Sequence, residues 1–227
     1  MGKSKLLRIR HNDIGIEMAT PKPQIRSMFA TPVCVHFLPV AQEVNAELRP
    51  LILEKMASVG ATDAHGQGWR SLPDFASWGG GAAETLFRVL REQADGLTAT
   101  RSGGRVNLEW KITAVAAVRQ KGEYSELVAR PGALWSGVYY VDDGYGKSDD
   151  ETLGGECELA DPRGALPAMV APHLAFRIPG GVTAGMVETI RPQMGMIILH
   201  PSWQPRGERR YDAANHRVTI EFDLAVP

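Results

Sequence analysis

Six histidines, His11, His36, His65, His173, His200 and His216, are the side chains best suited to metal or proton chemistry. No two lie within five residues of each other, so none forms the local ligand pair that a helix or strand presents to a metal. Only His200 stands out, because it ends an apolar run just before Pro201-Ser202-Trp203. Hydroxyl nucleophiles have no setting either: there is no G-x-S-x-G elbow around Ser136 or Ser202. Gly79-Gly80-Gly81 lacks the Lys-Ser/Thr of a phosphate-cradling loop. The acidic stretch Asp142, Asp143, Asp149, Asp150 and Glu151 lacks EF-hand spacing and reads as a solvated loop.

Arg217 carries more information. Val218, Ile220, Phe222 and Leu224 alternate with Arg217, Thr219, Glu221 and Asp223, the period of a strand with one apolar face. If helices cover that face, Arg217 and Thr219 look into the interior of a sandwich or barrel. A buried guanidinium costs several kcal/mol unless it meets an anion, and a carboxylate held bidentately is the usual solution. That carboxylate belongs either to a bound ligand or to an internal Asp or Glu, and the strand pattern alone leaves both open.

The elements that must position such a site follow from periodicity. Residues 31–38 form a β-branched and aromatic strand after a proline turn. Residues 41–59 carry Val44, Leu48, Leu51, Ile52 and Met56 at helical spacing, with Pro50 expected to kink the helix or start it anew. A second helix fits residues 82–95, after the glycines at 79–81. From Val106 to Val118 the period turns to two, and further strands fit 133–141, 155–159, 186–190, 194–200 and 217–224. Helices first and short strands afterwards predict an α+β, mainly β fold, a sandwich or barrel with the helices on one sheet. Residues 1–26 read as a leader and 27–227 as one domain.

Composition narrows the function. The chain has 227 residues and a net charge of -1, with 25 basic and 26 acidic side chains. Such a balance speaks against nucleic-acid binding driven by charge. Glycine and proline together reach 39 residues, about 17% against a usual 12% or so, as expected for many turns. Cys34 and Cys157 make no disulfide framework, and a reducing cytoplasm is the simplest compartment. No run approaches the roughly 18 apolar residues of a membrane helix, so no membrane partner is expected.

Several strings together resemble one family. They are Ser27-Met28-Phe29-Ala30-Thr31-Pro32-Val33, Gly68-Trp69-Arg70-Ser71, Gly122-Glu123-Tyr124, and Pro131-Gly132-Ala133-Leu134-Trp135-Ser136-Gly137-Val138-Tyr139-Tyr140-Val141. Asp161-Pro162-Arg163, Pro201-Ser202-Trp203 and Arg217-Val218-Thr219-Ile220-Glu221-Phe222 complete the set. In order and spacing they resemble a bacterial branch of the 2-oxoglutarate/Fe(II)-dependent oxygenases. The resemblance implies a double-stranded β-helix, or jelly roll, with helices packed on one sheet. It also implies 2-oxoglutarate as cosubstrate, with its far carboxylate at Arg217 and Thr219 beside it.

The same resemblance implies iron ligands that this chain lacks. A His-x-His pair belongs where Val128-Ala129-Arg130 stand, a third histidine where Arg206 stands, and an asparagine where Ala117 stands. Valine has no lone pair, and arginine is permanently cationic. Glu126, His173 and His200 are the fallback ligands. Three functions compete. The favoured one is a member degenerate at the iron site, binding a small anion such as 2-oxoglutarate at Arg217, with Arg130, Arg206, Thr219 and Tyr139 as further binding candidates. The second is an active oxygenase, a hydroxylase, with non-standard ligands. The third is a non-catalytic interaction protein.

Overall fold

The computed structural model describes residues 29–59, 68–165, 169–174, 176 and 185–226. The proposed 1–26 leader lies outside them. Strands β1 (Cys34–Phe37), β8 (Met196–Pro201), β5 (Trp135–Asp142), β10 (Arg217–Ala225), β3 (Lys111–Arg119) and β2 (Trp69–Arg70) form one sheet in that order. A second, four-stranded sheet runs β4 (Ser125–Val128), β9 (Arg206–Glu208), β6 (Cys157–Ala160) and β7 (Val187–Ile190). Each of these strand pairings is antiparallel. Among the described residues the sheets share no strand, so they face each other without closing into a barrel. This is the jelly-roll class, mainly β with helices on one sheet.

The helices lie on the outer face of the six-stranded sheet. Helix α1 (Ala41–Val59) buries Val44, Asn45, Leu48 and Ile52. A short α2 (Phe75–Trp78) leads into α3 (Gly80–Leu97), which buries Ala82, Ala83, Leu86, Phe87, Leu90 and Ala94 along one stripe. Beneath them sit Ala114, Ala116 and Val118 of β3, Tyr139 and Val141 of β5, Ile197 and Leu199 of β8, and Val218, Ile220, Phe222 and Leu224 of β10. Burying these side chains drives the layer together, at about 1.5–3 kcal/mol for each large one. Trp110 Nε1 donates to Asp95 Oδ1 at 2.8 Å and Trp135 Nε1 to Thr98 Oγ1 at 2.9 Å, tying the end of α3 to the sheet.

Two sequence expectations shift. Helix α1 runs through Pro50 without a break, because its buried stripe outweighs the hydrogen bond that a proline cannot donate. Strand β3 begins at Lys111, not Val106: Leu108 N and Trp110 Nε1 both donate to Asp95, which holds the preceding segment against α3. No helix among the described residues is long and apolar enough to cross a membrane.

Candidate functional site

Alternation along the central strands sends the other half of their side chains between the two sheets. From β10 these are Arg217, Thr219, Glu221 and Asp223; β3 contributes Arg119, β5 contributes Tyr140 and β8 contributes His200. The small sheet answers with Arg206 and Glu208 of β9 and Cys157 of β6. The result is a buried network of guanidiniums and carboxylates.

Glu221, only 2% exposed, is its hub. Its Oε1 accepts from Arg70 Nη1 at 2.8 Å and from Arg119 Nη2 at 3.3 Å, and lies 3.5 Å from Arg206 Nη2. Its Oε2 accepts from Arg130 Nη2 at 2.5 Å. Burial alone would raise this carboxyl; Arg206, Arg70 and Arg119 outweigh burial and hold it well below the usual carboxylate range. Glu208 is the second hub. Its Oε1 accepts from Tyr140 Oη at 3.0 Å and from Arg206 Nη1 at 3.3 Å. Its Oε2 lies 3.1 Å from Arg119 Nη1 and 3.7 Å from Arg217 Nη1. Again burial would raise its carboxyl, and Arg119, Arg217 and Arg206 reverse the shift. Arg206 bridges both hubs. Burial opposes its charge, yet Glu221 and Glu208 keep it firmly protonated.

Arg217 is fully buried, and its environment decides between the two alternatives left open by the strand pattern. Its Nε donates to Asp143 O at 3.0 Å, Nη1 donates to Gly155 O, and the guanidinium carbon lies 4.4 Å from the Tyr211 ring centroid and 4.9 Å from that of Tyr145. Its carboxylate partner is internal, Glu208. Gly155 makes room for this arrangement: it has φ +77°, and a Cβ there would stand 2.6 Å from Arg217 Nη1. Gly155→Ala is therefore expected to destabilise the protein by about 1–3 kcal/mol, through the left-handed backbone and the displaced guanidinium. Urea unfolding reads this; an unchanged midpoint would mean that Arg217 is free to move.

A cleft of about 120 Å³ opens beside the network, lined by Arg70, Ser125, Glu126, Val128, Arg130, Arg206 and Glu221. Arg70 and Arg130 keep about a third of their side chains exposed, whereas Arg206 forms the inner wall. Between the sheets and at the cleft rim, the guanidiniums of Arg70, Arg119, Arg130, Arg206 and Arg217 stand against the carboxylates of Glu126, Glu208, Glu221 and Asp223, an excess of one positive charge.

The sequence-derived candidates thus separate. Arg130 and Arg206 meet at the cleft, and Glu126 lines its rim. Thr219 is buried between the sheets, and its Oγ1 has no hydrogen-bond partner among the described residues. Arg217 stands behind Glu208, outside the cleft wall. Tyr139 belongs to the other face: its hydroxyl donates to Asn45 Oδ1 of α1 at 2.6 Å, because its position in β5 alternates with the interior-facing Tyr140. Arg70, Arg119, Glu208 and Glu221 were not singled out by sequence reasoning. A signal existed for Glu221, which shares the period-two face of Arg217; Arg119 extends the alternation of β3 by one step.

The positions that the resemblance assigns to iron are adjacent in space. Val128 of β4 pairs with Arg206 of β9, and Arg130 reaches Glu221 next to them. As a donor set they do not fit a transition metal: one side chain has no lone pair, and the other two are cations. The fallback ligands do not assemble either. His173 is exposed, and His200 is buried with Nδ1 3.0 Å from Pro201 O. Among the described residues no group of three His, Cys, Asp or Glu side chains is arranged to hold a metal.

Comparison with known proteins agrees with the fold. Residues 115–223 match the family model described as "Putative 2OG-Fe(II) oxygenase". A prolyl hydroxylase from Trichoplax adhaerens, solved in complex with a hypoxia inducible factor oxygen degradation domain peptide fragment, superposes with a TM-score of 0.60 at 13% identity, covering 86% of this chain and 83% of that one. A Pseudomonas putida prolyl-4-hydroxylase gives 0.53 at 14% identity, over 87% and 92% of the two chains. HygX from Streptomyces hygroscopicus, solved with nickel and 2-oxoglutarate bound, gives 0.53 at 14% identity over 86% and 83%. A sequence search among curated proteins finds no match.

Proposed function

We propose that the chain, which carries a 2-oxoglutarate/Fe(II) oxygenase family match over residues 115–223 and the fold of such enzymes, is a member of that superfamily degenerate at the iron site, which binds a small anion in the cleft between its sheets. The observation that carries this reading is the cleft itself. Its inner wall is the buried, charged Arg206, its mouth holds Arg70 and Arg130, and one carboxylate, Glu221, is shared among all three. Among the described residues Arg130, a third exposed, donates through Nη2 to Glu221 Oε2, which uses one of the five N–H donors of its guanidinium. An incoming carboxylate or oxyanion finds donors already oriented, in a site where desolvated charge interactions are stronger than in bulk water.

The same guanidiniums oppose a metal. A cation at Val128, Arg130 and Arg206 meets repulsion from two of the three and no electron pair from the third. This reading assigns the chain no oxygenation step. Its protein-side task is to bind and orient an anion, and 2-oxoglutarate is one candidate because the fold is that of proteins such as HygX, solved with it.

Calorimetry with acetate, phosphate and 2-oxoglutarate tests the proposal, each with and without Fe(II) under anaerobic conditions. The expected result is binding of at least one anion independent of iron. Arg130→Leu should weaken that binding tenfold or more, about 1.4 kcal/mol, with the fold intact by circular dichroism. Absence of binding by any anion would refute the reading. Binding of 2-oxoglutarate that requires Fe(II) would replace it with an oxygenase using other ligands.

A further inference from the structure

We infer that Glu208 is the built-in occupant of a second, deeper carboxylate subsite, so that the chain itself fills the place a second acid group would take. Four groups from four strands converge on this one side chain. Tyr140 Oη and Arg206 Nη1 donate to one oxygen at 3.0 and 3.3 Å; Arg119 Nη1 and Arg217 Nη1 approach the other at 3.1 and 3.7 Å. Glu208 is 1% exposed and Arg217 and Arg119 are 0% and 1% exposed, so these charges are removed from bulk solvent and depend on one another. Arg217 is aimed by two carbonyl acceptors and by the cut-out at Gly155, independently of Glu208. Arg217 is therefore pre-aimed at a carboxylate, as in a ligand site, and the group it meets is a glutamate of β9, the strand that also carries Arg206; Glu208 Oε2 is held by charge, without a hydrogen bond among the described residues.

The consequence for the outer cleft rests on the anion reading above. Arg206 forms the cleft's inner wall and also holds Glu208, so an anion entering the cleft meets the next subsite already taken. The cleft then selects compact ligands with a single anionic group. A five-carbon diacid gains nothing from its second carboxylate, which would face Glu208 across Arg206.

Glu208→Ala removes the fragment of Glu208 beyond Cβ, which is acetate. The variant is expected to melt below wild type, and 0.1 M acetate should raise its Tm by about 3–6 °C more than it raises that of wild type. That shift corresponds to a ligand at roughly ten times its Kd in a chain of this size. Acetamide, equal in shape but neutral, should not. Equal effects of acetate on both proteins, or equal rescue by acetamide, would overturn the inference. If Glu208→Ala does not fold unaided, refolding from urea in 0.1 M acetate against 0.1 M chloride reads the same subsite: recovery in acetate supports it, and failure in both overturns it. In wild type, glutarate should bind no more tightly than acetate; a tenfold preference for glutarate would show an open second subsite and overturn the inference. Failure of the preceding reading looks different: no anion binds wild type, while acetate still rescues Glu208→Ala.

Discussion

Glu221→Ala is expected to lower the stability of the protein by about 3–5 kcal/mol, the cost of removing one partner from a buried ion network. Arg70, Arg119, Arg130 and Arg206 all direct N–H groups at this carboxylate, and Arg119 and Arg206 are buried. Without it they repel one another in a medium where charge is poorly screened. Against a typical total of roughly 5–15 kcal/mol this is a large share. A cycle with Arg206→Leu separates charge from packing. Each single variant should be costly, and the double variant should lose clearly less than the sum, because removing both members leaves a smaller uncompensated charge. Urea unfolding of the four proteins measures this. A loss under about 1 kcal/mol for Glu221→Ala, or strict additivity, would mean that the guanidiniums are solvated independently.

The second large effect concerns acid. His200 is 2% exposed, and burial, reinforced by the charges of Arg206 and Arg130, brings its pKa down to about 4 even though Pro201 O favours the protonated ring. The unfolded chain takes up this proton near pH 6.5 and the folded chain resists it. Stability is therefore fully present above about pH 6.5 and falls as pH drops from there toward 4, by about 3 kcal/mol for a shift of this size. His200→Gln should flatten that slope while leaving the neutral-pH value within about 1 kcal/mol of wild type. The carboxyls of Glu208 and Glu221 are also held low in the folded state. Their contribution is present above the ordinary glutamate pKa and is lost at lower pH, so a second decline should remain in His200→Gln below about pH 4.5. Urea midpoints from pH 8 to 3.5 distinguish the two windows. An identical profile in wild type and variant would place the acid sensitivity elsewhere.

Much of the fold was legible in local patterns because one sheet has a dry face. The stripes of α1 and α3 and the period-two runs of β3 and β10 point at the same apolar layer and were visible as periodicity, whereas β5 and β8, buried on both faces, were visible only as apolar strand-like runs. Strands β4 and β9 were not found. Ser125–Val128 has three exposed residues of four, and Arg206–Glu208 is a polar triplet, so neither shows apolar alternation. Both owe their conformation to pairing with each other and, for β9, with β6. Those two strands bring Val128, Arg206 and Glu208 to the site, which is why the site was the less legible part.

Two properties of this protein were settled by residue types and spacing alone. One is that the polar side chains of the last strand look inward, since a strand with one buried face must send alternate residues the other way. The other is that Val128, Arg130 and Arg206 are poor metal ligands, since lone pairs and fixed charge belong to the side chain whatever surrounds it. Which partner satisfies each inward charge was a matter of tertiary structure. Arg217 finds Glu208, nine residues earlier in sequence but on the opposing sheet, and Glu221 gathers arginines from β2, β3, the segment after β4, and β9. Ion pairing acts over a few ångströms and is blind to sequence separation, so no local pattern could have chosen between an internal glutamate and a ligand; only the facing of the two sheets did.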